Sequence, residues 1–96
     1  MEPKTFDDLD SMEDWARENP DKVSRHLLKA WREVIGGDKE NVTVISCSDD
    51  HYFEDMNIVV EKGDEEEALE TLLQESIDRE DYELAREITT LQDKIK

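Results

Sequence analysis

Residues 42–60 read VTVISCSDDHYFEDMNIVV, and they decide the fold. Val42, Thr43, Val44 and Ile45 are β-branched and begin a run to Cys47 that has the composition of a strand. A second strand is predicted from about Tyr52 to Val60, with Tyr52, Met56, Ile58 and Val60 on one face. Ser48-Asp49-Asp50-His51 is the turn expected between them. Two such strands make an antiparallel ribbon that is marginal alone. Helices must therefore cover one face, or a partner chain must extend the sheet.

The flanks supply the helices. Before the ribbon, a first helix is expected within residues 6–19, with Leu9, Met12, Trp15 and Ala16 as its apolar stripe. Both Thr5-Phe6-Asp7-Asp8 and Ser11-Met12-Glu13-Asp14 offer a hydroxyl cap with an acid three residues on. Asn19 and Pro20 suit the cap and first position of a second helix. It carries Val23, Leu27, Ala30, Trp31 and Val34, and stops at Gly36-Gly37. Both tryptophans are expected to be buried.

After the ribbon, Asp64 caps a third helix, with Glu67 placed to complete a capping box. Its stripe is Ala68, Leu69, Leu72, Leu73 and Ile77. A break near Arg79-Glu80-Asp81 leads to a fourth helix bearing Leu84, Ala85, Ile88, Leu91 and Ile95. The expected architecture is a single α+β domain over residues 1–96, of order ααββαα.

Charge bears most on function. Twenty-eight acids against twelve bases leave a net of −16. Residues 22–48 carry a net of +2, whereas residues 49–87 hold sixteen acids and three bases. Such a chain is repelled by a phosphodiester backbone and by an anionic membrane, so neither is an expected partner. Its sign points to a basic macromolecule. Solubility asks for a net charge of only roughly 2–8 in a small domain, so the excess calls for another reason.

Catalytic chemistry is not expected. Asp49, Asp50, His51, Glu54 and Asp55 are dense in metal-ligand types, but they lack the alternating acids and mid-loop glycine of a calcium loop. They read as a solvated turn, and neither metal nor cofactor is expected. His26, between Arg25 and Lys29, has no nucleophile paired with it in the sequence and reads as a surface histidine. Cys47 reads as a small, half-buried strand residue. One cysteine cannot form an internal disulfide, and the first residues lack a secretory pattern, so a cytoplasmic location is expected.

Spacing sharpens the reading of the charge. A helix over residues 64–78 is roughly 22 Å long at about 1.5 Å per residue. It carries Asp64, Glu65, Glu66, Glu67, Glu70, Glu75 and Asp78. One DNA strand presents roughly six or seven phosphates over that length, at about 3.4 Å each. Glu80, Asp81, Glu83 and Glu87 extend the field. In charge and size the chain resembles the DNA-mimic proteins of phages and mobile elements, which occupy the nucleic-acid groove of a basic host protein. That resemblance implies an inhibitor acting in a bacterial host's cytoplasm. The expected contact residues are Asp49, Asp50, Glu54, Asp55, Asp64, Glu65, Glu66, Glu67, Glu70, Glu80, Asp81, Glu83 and Glu87.

Residues 72–85, LLQESIDREDYELA, resemble a UVR motif, the helical hairpin of bacterial excision-repair proteins and some protease adaptors. Tyr82, Glu83, Ala85 and Ile88 match the opening of its second helix. Arg86 replaces the usual second alanine, and Thr89-Thr90 replace an Arg-Asp pair. This resemblance implies a different function, an adaptor docking a partner helix through an apolar seam, with Leu91 and Ile95 as its candidate contacts. A ribbon with two open edges also admits a homodimer, joined edge to edge across a two-fold axis.

Overall fold

The computed structural model describes residues 2–49 and 54–95. Its elements are β1 (Lys4–Phe6), α1 (Leu9–Glu18), α2 (Pro20–Gly36), β2 (Asn41–Asp49), β3 (Glu54–Glu61), α3 (Glu65–Asp78) and α4 (Tyr82–Lys94). The class is α+β. The order departs from ααββαα by one strand: β1 lies parallel to β2, giving a mixed sheet of order β1-β2-β3 in place of a two-stranded antiparallel ribbon. Three residues cannot display a periodicity of two, and Thr5 suits a cap as well as a strand. The first helix nevertheless forms, because its actual cap lies further on. Asp8 accepts from the Ser11 backbone N–H at 2.7 Å, the role that had been expected of Thr5 or Ser11.

β2 and β3 pair antiparallel from Asn41↔Glu61 to Asp49↔Glu54. Ser48 and Asp49 therefore belong to the strand and not to the expected turn, while Asp50, His51, Tyr52 and Phe53 lie outside the described residues. The register slips between Thr43 and Ile45, which pair with the consecutive residues Val59 and Ile58. Val44 is the inserted residue of this bulge. Strict alternation would send neighbours to opposite faces, yet Val44 and Ile45 are both buried.

α2 brings Leu28, Ala30, Trp31 and Val34 into the core with Val42, Val44, Ile45, Cys47 and Val60. α3 and α4 add Leu69, Leu72, Leu84, Ile88 and Leu91 to the same core. Trp31 is buried as expected, but Trp15 is only half-buried. Its ring meets Phe6 at a centroid distance of 5.6 Å, with the Lys4 ammonium 5.3 Å from its centre. Ile77, assigned to the α3 stripe, is 43% exposed, and Ser76 is buried in its place. Ser76 is accommodated because its hydroxyl donates to the Leu73 carbonyl at 2.8 Å.

Two turns set the hairpins. Asn19 is shared between helices: its side-chain amide donates to the Trp15 carbonyl of α1 at 2.9 Å and makes no cap bond to α2. Gly63, at φ 110°, allows the turn from β3 into α3 that an L side chain would strain. There the capping box does not form. Asp64 makes no side-chain cap bond, and Glu65 accepts from the Gly63 N–H.

Candidate protein-binding surface

The bases of α2 meet the acids of α4. Arg25 pairs with Asp81 at 3.3 Å and lies 3.7 Å from Glu87, which also pairs with Arg32 at 3.4 Å. Arg79 donates to the buried Ser24 hydroxyl at 2.6 Å. These contacts fasten the α3–α4 turn to α2. Asp81 has a second task, accepting from the Leu84 N–H as the cap of α4. So Asp81 and Glu87, two of the expected contact residues, are held by the fold's own arginines.

The others fall into three groups. Asp49 and Glu54 are partners at the far end of the β2–β3 ladder, and Asp55 accepts from Ser48 at 2.9 Å. Asp50 lies outside the described residues. Around α3, Asp64, Glu66, Glu67 and Glu70 are exposed, whereas Glu65 is half-buried beside Gly63. Glu70 accepts from Gln92 of α4 at 3.3 Å, so that carboxylate has a preferred position. Glu80 and Glu83 are exposed at the α3–α4 turn. The exposed α3 acids make no ion pair among the described residues.

Helical geometry sorts the α3 acids further. Asp64, Glu67, Thr71 and Glu75 recur at three- and four-residue steps and line one side of a groove. Ile58, Val59, Val60 and Glu61 of β3 line the other, over a floor that includes Leu27, Trp31, Ala68 and Leu72. Glu61 and Glu75 were not among the expected contacts. The spacing from Asp64 to Glu75 carried the signal for Glu75, whereas Glu61 joins through a strand–helix juxtaposition that local spacing does not reveal. Glu66, Glu67 and Glu70 line a second depression with Gly63, Gln92 and Ile95.

Glu80 is held in an uncommon backbone conformation. Its φ is 61°, and it is the first residue past the α3 cap. Its N–H donates to the Ile77 carbonyl, and that of Asp81 to the Ser76 carbonyl at 2.8 Å, the paired bonds of a Schellman turn. Glycine normally fills this position because a β-carbon is disfavoured there. Replacing Glu80 with Gly should therefore stabilise the fold by about 0.5–1 kcal/mol. A thermal midpoint no higher than wild type would show that the turn is unstrained.

Lys62 bridges to Asp38 at 2.8 Å, and that hydrogen bond holds the Asp38 carboxyl below its ordinary pKa and the Lys62 ammonium above its own. His26 is half-buried at the surface, and its Nε2 is enclosed without a hydrogen-bond partner among the described residues. Burial, then Lys29 and Lys4, press its pKa below the ordinary histidine value. Cys47 is fully buried rather than half-buried. Among the described residues no group of three or more His, Cys, Asp or Glu could hold a metal ion, and no helix is long and apolar enough to cross a membrane.

The α3–α4 hairpin is present, but the apolar seam of α4 faces inward: Leu84, Ile88 and Leu91 are buried in the core. Leu91 is thus not an exposed docking residue, and Ile95 is half-buried. Comparison with known proteins found no matching family model, no matching curated protein and no matching solved structure.

Proposed function

We propose that this chain is a protein-binding inhibitor that acts as a DNA mimic, its carboxylates taking the place of phosphates on the nucleic-acid-binding surface of a basic protein. The observation that carries the reading is the row of exposed acids around α3, without ion pairs among the described residues, on a helix anchored by Leu69 and Leu72. Charges fixed on a packed helix lose little freedom on binding and steer a cationic partner toward it. Two features make sense on this view. Glu75 and Asp78 occupy the last turn of α3, where the helix dipole disfavours acids and which itself contains no base. Glu80 occupies a position that glycine would fill with less strain.

The adaptor reading has less support, because the hairpin seam it would use is enclosed by the chain's own core. Salt separates the two. Immobilised protein should capture basic nucleic-acid-binding proteins from a bacterial lysate at low ionic strength and release them as salt rises. Capture that is indifferent to salt would favour an apolar dock.

A further inference from the structure

The sheet has two edge strands, β1 of three residues and β3 of eight, so β3 is the longer edge among the described residues. That strand presents Met56, Ile58 and Val59 at 39–44% exposure, a large apolar surface for so acidic a chain. Its outer backbone groups have no strand partner among the described residues. Edge strands are usually shielded by proline, an inward-pointing charge, or a covering element. β3 contains no proline, its acids Glu54, Asp55 and Glu61 are confined to its two ends, and the groove of about 410 Å³ separates it from α3.

We propose that this groove receives an extended basic segment of a partner protein, which adds to β3 as a fourth strand. Strand addition supplies backbone hydrogen bonds, and alternate side chains of the incoming segment supply specificity. One set would reach the apolar floor around Leu27, Ala68 and Leu72. The other would meet Glu61, Asp64, Glu67 and Glu75, which line the groove with no Lys or Arg among them and form no ion pairs among the described residues. The occupant is therefore a segment that alternates Lys or Arg with aliphatic residues. A second copy of this chain fits poorly. Two copies would each bring a net charge of −16, and full-length antiparallel pairing of β3 with itself sets Glu54 opposite Glu61. This inference shares with phosphate mimicry only the sign of the partner, since it also requires apolar anchoring and backbone pairing.

The test uses the full chain, amide NMR, and a capped peptide of alternating Lys and Val with the eight-residue length of β3. A Glu/Val peptide serves as the control. The Lys/Val peptide should shift the amides of Val59, Glu61, Thr71 and Glu75 and slow exchange along β3, while the Glu/Val peptide should not. Thr71 is exposed on the groove wall, so Thr71→Trp should fill the groove and weaken binding by about tenfold or more. If that variant folds poorly, Glu75→Lys at another exposed wall position should weaken binding as well. Several results would overturn the proposal: no binding, equal binding of both peptides, or shifts confined to Glu66, Glu70 and Glu83. The same holds if β3 amides shift with protein concentration alone, which would assign the edge to a second copy. Neither outcome bears on whether DNA competes for the basic partner, so the two readings can fail separately.

Discussion

Leu84→Ala and Ile88→Ala should each destabilise the protein by about 2–5 kcal/mol, the range for emptying a fully enclosed aliphatic site. Both side chains are completely buried where α4 meets the core. A domain of this size has a total stability of about 5–15 kcal/mol, so the double variant should be largely unfolded at ordinary temperature. Urea titration followed by circular dichroism measures the effect. A loss below about 1 kcal/mol at both sites would mean that α4 is not packed as described. The adaptor reading makes the opposite demand, because a seam reserved for a partner would tolerate truncation in the free protein.

Reversing Glu66, Glu70, Glu80 and Glu83 to lysine should abolish capture of the basic partner and leave the fold intact. All four are exposed, and none lies on an apolar stripe. Each reversal removes one negative charge and adds one positive, so the net charge changes from −16 to −8. Less self-repulsion should hold the thermal midpoint at or above that of wild type. Binding should also become less sensitive to salt, because fewer charge pairs form across the interface. A quadruple variant with wild-type affinity and an unchanged salt slope would remove the carboxylates from the mechanism.

The helices were legible because each carries enough turns for its apolar period to show. Leu27, Trp31 and Val34 marked α2, and Leu69 with Leu72 marked α3. β2 and β3 were legible from their β-branched composition. What escaped was either too short or too distant in sequence. β1 is three residues long, and it becomes a strand only because β2 is there to pair with it. Arg25 and Asp81 are far apart in sequence, so nothing local showed that Asp81 would be ion-paired. The capping errors have a common cause. Ser, Thr and Asp abound near the helix starts, and the bond goes to whichever one the incoming backbone brings into reach, Asp8 but not Asp64. Of the candidate surface, the α3 acids could be read from spacing. The groove they share with β3 could not, because it depends on the angle at which the α3–α4 hairpin meets the sheet.

Competition with duplex DNA for the captured partner tests phosphate mimicry most directly. The partner would be loaded with fluorescent DNA and titrated with this protein while fluorescence anisotropy and complex mobility are followed. The expected result is full release of the DNA by wild-type protein at low salt, with no release by the quadruple lysine variant. A stable complex containing partner, DNA and this protein together would contradict it, because a phosphate mimic and DNA cannot occupy one surface at once.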